Sequence, residues 1–439
     1  MALRVQVGFH LLMSGVLNHR FALLLDYLAE KRWRAILVIF ALSCGLRFAI
    51  LGAFLLAGNQ LYTGEAENIA RSMVLRGVFA DPYAIPTGPT AHCAPIYPSI
   101  AALIYTVFGL GTVGELARCA VSILAFSALY SLFPWFATRF GFDFRAGIIA
   151  GFYAALLPTR RSTEVLGGWE TPYAAIVLAV LLAWTLNIIK RDRLSYRGAL
   201  LWGAAWGAAS MLLTSLFAVF GSVCALFLIR RFRPRTIGLL AVAVFACALV
   251  LLPWTIRNRV TLGAWMFVRS NLGIELEVGN HPGARPDVEE NMAAKLHPSG
   301  SPQRALEVRT LGEVEYNHRA MQRALAWIRQ NPGAFLSLSA ERCFRFWFST
   351  PLHPFEFALT FPVMLFAIWA MVRLWKTNPD SILIWILALL SYSLIYYVTQ
   401  YSARYRAVVE WMPLIAAGQL WIQRMSSSRK KPALEAASR

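Results

Sequence analysis

Residues 62–109 read YTGEAENIARSMVLRGVFADPYAIPTGPTAHCAPIYPSIAALIYTVFG, and this stretch decides how the chain folds and where its chemistry lies. It follows the first membrane-length apolar run directly. Glu65 and Glu67 open an amphipathic segment whose apolar residues recur at helical spacing. A proline-rich middle part excludes long regular structure, and an apolar helix is predicted over 96–108. Acids, a histidine and prolines held at a membrane face are typical of an active-site loop.

The composition of the chain is that of a membrane protein. Apolar residues make up 58% of the 439 residues and charged residues only 15%, which excludes an ordinary water-soluble domain. Ten segments have membrane length or nearly so, and several are shorter than the ~20 residues of a straight span, so neighbouring segments can merge. We predict an all-α polytopic membrane protein with about ten transmembrane helices, juxtamembrane helices in the first outer loop and a small mixed outer-face segment. The ten segments are 35–57, 112–137, 144–158, 170–189, 198–213, 216–230, 235–253, 356–373, 381–399 and 406–423.

The net charge of +19 indicates how the chain is oriented in the membrane. If the N-terminus is cytoplasmic, the cytoplasmic segments hold 22 of the 42 Lys and Arg residues and six acids. The positive-inside rule is satisfied by this orientation and violated by the opposite one. We therefore predict a multi-pass protein of the bacterial inner (plasma) membrane, in contact with membrane lipids, with both termini cytoplasmic and the active site on the outer face. Nucleic acid is not an expected partner.

The same pattern divides the chain into five parts. Residues 9–27 are predicted to form an amphipathic helix on the inner membrane surface, because no cleavage site of a signal peptide follows the apolar run. The five parts are a cytoplasmic amphipathic segment, 1–34; a transmembrane catalytic module that includes the outer loop 58–111, 35–253; an outer-face (periplasmic) segment, 254–355; C-terminal transmembrane helices, 356–423; and a basic cytoplasmic tail, 424–439.

Polar residues inside the spans require an explanation. Arg47 lies near the middle of the first span and is predicted to face protein or a polar cavity. Four of the six cysteines lie in apolar runs and are expected to behave as small apolar residues. Cys93 and Cys343 fall on the outer side, where they can pair, although their spacing does not require it.

Residues 254–355 form the one large hydrophilic stretch. Pro253 is predicted to end the helix that precedes it. Apolar and polar residues alternate over 265–279 as in a strand, and a Gly-Asn-His-Pro-Gly turn follows. Residues 312–329 have the pattern of a surface helix.

Acids and arginines from three outer loops are brought to one membrane face. Glu65, Glu67 and Glu170 can act as a general base or hold a metal ion, although Glu170 is equally explained by the dipole of the helix that it opens. A guanidinium fork matches the oxygens of phosphate. These parts suit transfer of a group from a lipid phosphate to a hydroxyl. The candidate arginines are Arg257, Arg259, Arg404 and Arg406, of which Arg404 or Arg406 is favoured as a phosphate ligand and Arg259 as an ordinary headgroup contact.

Five motifs, in order along the chain, carry a resemblance to a known family. Together they resemble the bacterial C-type (GT-C) glycosyltransferases, the multi-spanning relatives of protein O-mannosyltransferases and lipid A aminoarabinose transferases. Each motif alone is degenerate, but five in sequence are fairly specific for that superfamily. The motifs are GEAENIARSM with TGPTAHCAPIYPSIAALIYTVFG (64–73 and 87–109), GWETPYAAI (168–176), LPWTIRNRVTLGAWMFVRSNLGIELEVGNHPGA (252–284), NPGAF with ERCFRFW (331–335 and 341–347), and YSARYRAVVEWMPLIAAG (401–418).

The resemblance implies a sugar donor on polyprenyl phosphate, a hydroxyl acceptor and an acidic first-loop residue as catalytic base. Carried over, that base is Glu65. Because Gly64 stands where the family's pattern has an aspartate, Glu67 and Glu170 remain open as alternatives. Some relatives bind a divalent metal ion with an acid and a histidine, for which His92 is the candidate, although a histidine in a proline-rich loop is more often a plain surface residue. The predicted catalytic residues are Glu65 and Glu170, and the predicted substrate-binding residues are Glu67, His92, Tyr97, Arg257, Arg404 and Arg406.

Two other functions remain as alternatives. A lipid-linked polysaccharide polymerase or ligase also uses lipid-linked sugars and outer-loop arginines. A transporter or flippase of lipid-linked sugars usually has two similar halves, and no internal repeat is apparent in this sequence. The acidic loop directly after the first span favours the transferase.

Overall fold

The structure, a computed structural model, describes residues 20–61, 63–157, 162–167 and 169–437. The first part of the expected N-terminal amphipathic helix, residues 9–19, lies outside the described residues. Residues 20–30 are helical.

The first half of the chain consists of eleven helices and one π-helical segment among the described residues. Their bounds are α1, 20–30; α2, Arg32–Leu56; α3, Glu65–Arg76; α4, Ile96–Phe108; α5, Thr112–Ser131; α6, Phe133–Arg139; α7, Phe144–Leu156; the π-helix, Ser162–Gly167; α8, Thr171–Arg191; α9, Tyr196–Leu212; α10, Leu216–Arg230; and α11, Pro234–Leu262.

The second half is helical as well. No strand forms in the part of the chain that the structure describes, where the β-like contacts are two isolated bridges, Ala80–Pro89 and Asp287–Tyr401. The bounds are α12, Leu272–Gly279; α13, Val288–Met292; a 3₁₀ turn, Pro298–Gly300; α14, Pro302–Leu311; α15, Glu313–Gln330; α16, Pro332–Phe348; α17, Pro354–Leu374; α18, Pro379–Val398; α19, Ala403–Ala407; and α20, Trp411–Ala437.

The predicted fold class is confirmed: the chain is an all-α polytopic membrane protein. Six of its described helices are long and apolar enough to cross a membrane, namely α2, α5, α8, α11, α17 and α18. Helices α4, α7 and α10 are apolar but shorter. The predicted segment 112–137 is two helices, α5 and α6, which meet at Leu132 just before a proline. The last segment begins at Trp411 rather than at residue 406, because α19 and a turn come first.

Two predictions around residue 253 are wrong. Helix α11 continues through Pro253 to Leu262, since a transmembrane helix tolerates an internal proline. The helix ends at Gly263, whose φ of 77° is the left-handed conformation of a helix C-cap. The strand expected over 265–279 is helix α12 in its second half, where Ile274 and Val278 are buried one helical turn apart. The surface helix predicted over 312–329 is confirmed as α15.

Small residues allow the middle spans to pack closely. A Cβ atom added to Gly203 of α9 would lie 2.0 Å from the backbone oxygen of Ala243 on α11. One at Gly207, a turn further, would lie 2.9 Å from the oxygen of Cys247. Glycine at these positions lets the two backbones touch, as is common between membrane helices.

A buried ion pair fixes the membrane segment beneath the candidate site. Arg47 of α2 donates from Nε and Nη2 to Glu164 Oε2 at 3.0 and 2.7 Å, and both side chains have no exposed surface. Tyr130 of α5 donates to the other oxygen of Glu164 at 2.6 Å. The prediction that Arg47 faces protein is confirmed. Glu164 belongs to the π-helix, so the ion pair also fixes this irregular backbone. Irregular backbone at membrane depth must be enclosed by protein.

The segment after α11 has a small core of its own that includes a residue of the loop between α3 and α4. Tyr83 from that loop is buried together with Ile274, Val278 and Tyr316. A second attachment is the bridge in which Tyr401 donates to Pro286 O at 2.8 Å and accepts from Val288 N at 2.9 Å. Three sequence-distant loops are thereby held against one another at one end of the helical bundle.

Candidate active site

Helix α3 presents its two acids, Glu65 and Glu67, in different directions. Glu67 Oε2 accepts a hydrogen bond from the backbone N–H of Gly64, the residue before the helix, at 2.9 Å. This bond is one half of a capping box. Gly77 ends the helix with a φ of 68°. Glu67 thus stabilises the start of the helix. Glu65, in the same first turn, faces the rest of the loop.

Glu65 meets two histidines that lie far apart in sequence. Glu65, His92 and His297 each offer a ligand atom, and these atoms lie within 4.8 Å of one another. His297 Nδ1 is 3.9 Å from Glu65 Oε1, and the rings of His92 and His297 are 5.6 Å apart. Ser299 donates a hydrogen bond to Glu65 Oε1. We call Glu65, His92 and His297 the acid–histidine cluster.

Each imidazole is oriented by a partner outside the cluster. Tyr83 Oη lies 3.1 Å from His92 Nδ1, and the backbone N–H of Ser299 donates to His297 Nδ1 at 3.1 Å. His92 and His297 are only 2% and 6% exposed. Rings fixed in this way are pre-oriented for a ligand, as histidines of metal sites are.

The loop that carries His92 is fastened from two sides. Glu313, at the start of α15, accepts from Ala91 N at 2.8 Å, from Ser270 Oγ at 2.5 Å and from the Thr90 hydroxyl. Arg257 of α11 donates to the backbone oxygens of Thr90 and Phe79 at 2.6 and 2.7 Å. The position of His92 therefore depends on residues more than 150 positions away.

The protonation states within the cluster follow from burial and charge. Burial raises the pKa of the Glu65 carboxyl, but the two imidazoles and the Ser299 hydroxyl outweigh it and lower the pKa to about 2. Burial lowers the pKa of His92 to about 3, against the attraction of Glu65. Near neutral pH the carboxylate is ionised and the His92 imidazole is neutral. These are the forms in which both groups bind a metal cation.

The donor set fits a divalent metal ion. One carboxylate and two imidazoles form a common ligand set of catalytic zinc sites, in which a further position stays open. Ligands of one tetrahedral ion lie roughly 3.4 Å apart at the usual bond lengths, so the described cluster, within 4.8 Å, is slightly wider than a bound set. Small side-chain rotations would close that difference. The predicted pairing of an acid with His92 agrees with this geometry.

A small polar cavity adjoins the acid–histidine cluster. Its volume is about 30 Å³, and its lining includes Tyr97, Trp169, Glu170, Arg269 and Arg404. The chain neighbours of Glu65 and His92, namely Ala66 and Cys93, line it as well, so the cluster lies next to the cavity. We call this space the Glu170 cavity.

The two arginines of the Glu170 cavity remain charged and available. Arg269 donates from Nε to His92 O at 2.8 Å. Burial lowers the pKa of Arg404 and of Arg269, but nearby groups, Glu170 among them, raise both pKa values overall. Among the described residues, no carboxylate lies within salt-bridge distance of either guanidinium. Two charged guanidinium groups beside a small cavity are suited to an anion.

Aromatic rings form the wall behind Arg404. Its guanidinium carbon lies 4.1 Å from the ring centroid of Trp169 and 5.0 Å from that of Tyr405. Trp169 has a φ of 45°, which is rare for a tryptophan and indicates local strain at this site. A Cβ atom added to Gly64 would lie 3.0 Å from Trp169. The indole therefore occupies the space that a side chain at position 64 would need.

Glu67 and Tyr97 belong to a buried network below the site. Glu67 Oε1 lies 3.2 Å from Tyr97 Oη and 3.4 Å from Arg118 Nη1. Burial raises the pKa of Glu67, and Arg118 opposes that rise. The Tyr97 hydroxyl also donates to Gly167 O at 2.8 Å, and its ring stacks on Trp169. These contacts place Tyr97 in the cavity wall and give Glu67 a structural role.

The structure does not bring Arg257 and Arg406 to the cavity. Arg257 holds the loop of Thr90, as described above. Arg406 is fully buried and directed towards Glu410 at 3.1 Å, Glu356 at 3.6 Å and the Phe346 oxygen at 3.2 Å. Of the predicted substrate-binding arginines, Arg404 alone lines the Glu170 cavity.

Sequence reasoning missed His297 and Arg269. His297 belongs to none of the quoted motifs and precedes an ordinary 3₁₀ turn. Arg269 lies within the motif of residues 252–284, but in the segment that was predicted to be a strand, and no role was predicted for it. Both reach the site only because the segment after α11 folds back over the loop that contains α3. The sequence signal for a polar site was weak: His297 lies in a His-Pro-Ser stretch and Arg269 in an Arg-Ser-Asn stretch.

The fold is that of a known class of membrane enzymes. The archaeal oligosaccharyltransferase AglB from Archaeoglobus fulgidus, in complex with an inhibitory peptide and a dolichol-phosphate, aligns with a TM-score of 0.56 and 13% identity over 92% of this chain and 52% of its own. The apo form of the Archaeoglobus fulgidus enzyme aligns with a TM-score of 0.57 and 15% identity over 93% and 52%. Its complex with Zn and sulfate aligns with a TM-score of 0.52 and 13% identity over 88% and 48%.

These similarities establish the fold and no more. AglB is a C-type glycosyltransferase, so the chain has a GT-C membrane fold. It spans about half the length of the solved structures that it matches. No family model and no curated protein matches the sequence. The narrower resemblance to O-mannosyltransferases and aminoarabinose transferases remains a prediction.

Proposed function

We propose that the protein is a membrane glycosyltransferase that moves a sugar from a polyprenyl-phosphate donor to a hydroxyl acceptor at the membrane face where the site lies. The observation that carries this proposal is the juxtaposition of the acid–histidine cluster with Arg269 and Arg404 in a GT-C fold. An anion clamp beside carboxylates is what transfer from a lipid phosphate requires.

The arginines would bind the phosphate of the donor. Transfer of the sugar breaks the bond between its anomeric carbon and the phosphate oxygen, so negative charge develops on that oxygen. Guanidinium groups that are charged and fixed before the reaction stabilise this charge. Arg269 is fixed by His92 O and Arg404 by Trp169 and Tyr405. The leaving polyprenyl phosphate would remain bound between them.

The two carboxylates of the site would have different tasks. Glu65 lies within ligand distance of two imidazoles and accepts a hydrogen bond from Ser299, so we assign it to hold a cation rather than to remove a proton. Glu170 lines the cavity beside both arginines and is the group that we propose to accept the proton of the acceptor hydroxyl. This proposal modifies the sequence prediction, in which Glu65 is the base.

A divalent metal ion would be held by Glu65, His92 and His297. When bound, it would supply positive charge to a phosphate or hydroxyl oxygen. Without it, the same three residues still place an ionised carboxylate between two imidazoles at the edge of the Glu170 cavity.

The donor must displace side chains in order to enter. About 30 Å³ holds a water molecule but no sugar phosphate. Trp169 and Arg404 stand at the cavity, and the strained backbone of Trp169 makes it the residue that we expect to move. A shift of interface side chains on ligand binding is common.

Consumption of the donor tests the proposal. Membranes that contain the full-length protein would be supplied with radiolabelled hexoses and pentoses, each linked to polyprenyl phosphate. We expect label to pass from one of them to an acceptor, with release of polyprenyl phosphate, in the wild type but not in Glu170→Gln. Movement of intact donor across the bilayer without loss of its sugar would instead identify a flippase, and extension of a lipid-linked glycan a polymerase.

A further inference from the structure

A second polar cavity lies at the end of the bundle opposite the candidate active site. Helix α8 begins next to Glu170 and, at 1.5 Å per residue, ends roughly 30 Å away at Arg191. The cavity there has a volume of about 160 Å³ and lies between the ends of α8, α10 and α11. Four arginines line it, namely Arg193, Arg231, Arg233 and Arg235. We call this space the arginine pocket.

The arginine pocket holds positive charge that the described part of the protein does not neutralise. Asp192, the acid in its lining, forms an ion pair with Arg231. Among the described residues, Arg193, Arg233 and Arg235 have no carboxylate within salt-bridge distance. Like charges that converge without a counter-charge repel one another, so an anion bound among them stabilises the fold.

Arginines elsewhere on the same face behave differently. Arg230 pairs with Asp380 at 2.9 Å, and Arg145 pairs with Asp26 at 2.7 Å and with Asp143 at 2.8 Å. The general excess of basic residues on this face accounts for their number. It does not account for three guanidinium groups around one cavity that have no carboxylate partner among the described residues.

The floor of the arginine pocket is apolar. It is formed by Phe227, Leu239 and Leu240, which are buried. Beside it, Ile229 and Phe232 expose 83% and 80% of their surface. Large apolar side chains with that exposure fit contact with lipid chains, and a soluble anion would leave them in water.

We propose that the arginine pocket binds the phosphate of an anionic phospholipid from the leaflet opposite the candidate active site, with the lipid chains against Ile229 and Phe232. Basic pockets between membrane helices suit such headgroups, and guanidinium forks match phosphate oxygens. The site is separate from the glycosyl-transfer site and does not depend on the proposed function.

Lipid-dependent thermal stability tests this proposal. The purified full-length protein in neutral detergent would be titrated with short-chain phosphatidylglycerol, with phosphatidylcholine and with inorganic phosphate, and the unfolding temperature followed. The test variant is R233Q/R235Q, and the matched control is R191Q/R197Q, which removes two exposed arginines of the same face that do not line the pocket.

We expect phosphatidylglycerol to raise the unfolding temperature of the wild type and of the control variant saturably. Each arginine near an anionic lipid contributes about 1 kcal/mol, so R233Q/R235Q should need roughly 30-fold more phosphatidylglycerol. Equal weakening in both variants would show general surface attraction and overturn the site. An equal response to phosphatidylcholine would show that the phosphate charge is not recognised, and an equal response to inorganic phosphate would show a soluble-anion site; either result contradicts the proposal.

Discussion

If the proposed function is correct, replacement of Arg404 should separate binding of the donor phosphate from folding. Arg404 lines the Glu170 cavity, stacks on Trp169 and has no acidic partner within salt-bridge distance among the described residues. Its removal should therefore leave the fold intact. A hydrogen bond to a charged group contributes about 1.5–3 kcal/mol, which corresponds to a roughly 10- to 150-fold loss of kcat/KM for the donor in Arg404→Ala. Arg404→Lys should recover part of this loss, because an ammonium keeps the charge but lacks the planar fork.

Two other arginines serve as matched controls for this prediction. Arg259 is exposed, and its side chain contacts the backbone oxygen of Gly263, so Arg259→Ala should leave donor use unchanged. Arg406→Ala should instead lower the amount of folded protein, because it removes the buried guanidinium that lies between Glu356 and Glu410, at a cost of about 3–5 kcal/mol. Initial rates against donor concentration, with protein level measured in parallel, distinguish these results. Normal donor dependence in Arg404→Ala, together with folded Arg406→Ala that no longer uses the donor, would refute the assignment.

Three further predictions concern the metal ion, the buried pair and the orientation. After chelation, the purified protein should take up about one zinc or manganese ion, and Glu65→Gln or His297→Ala should weaken uptake at least ~100-fold, as judged by elemental analysis. The control is His318→Ala, at an exposed position. Equal metal content in all four proteins would exclude the cluster as the metal site. Arg47→Met should destabilise the protein by about 3–5 kcal/mol in thermal unfolding, and the double variant Arg47→Met/Glu164→Met should recover most of that lost stability. A double variant as unstable as the single variant would show that loss of the ion pair is not the cause. The orientation is tested with single cysteines in a variant that lacks Cys93 and Cys343. Cysteines introduced at Ala84 and Ala294 should react with a membrane-impermeant reagent in intact cells, and one at Ser427 should not. The reverse labelling pattern would place the site on the cytoplasmic face.

Local sequence patterns predicted most of the helices. The helix at 96–108 and the surface helix over 312–329 follow from periodicity and from flanking glycine or proline, which act within a few residues. The prediction that Pro253 ends a helix was wrong because a membrane helix tolerates an internal proline, and α11 continues through it. The strand predicted from the alternation over 265–279 was wrong because burial of Ile274 and Val278 against Tyr316 favours a helix there.

Only those site residues that lie next to predicted membrane spans could be predicted from local sequence. Glu65, His92, Glu170 and Arg404 stand in loops whose position near the membrane follows from the adjacent spans. The pairing of His92 with His297 could not be predicted, because 205 residues separate them and the fold alone brings them together. For the same reason Arg406 appeared equivalent to Arg404, although two positions on a short helix turn their side chains to different surroundings.

The position of a bound donor tests the central claim most directly. A structure of the full-length protein with a non-transferable polyprenyl phosphonate analogue of the donor would locate the phosphonate group. The account predicts phosphonate oxygens within about 3 Å of the guanidinium nitrogens of Arg269 and Arg404, with Glu170 beside the sugar. A phosphonate group bound instead at Arg257, or in the arginine pocket at the opposite membrane face, would contradict it.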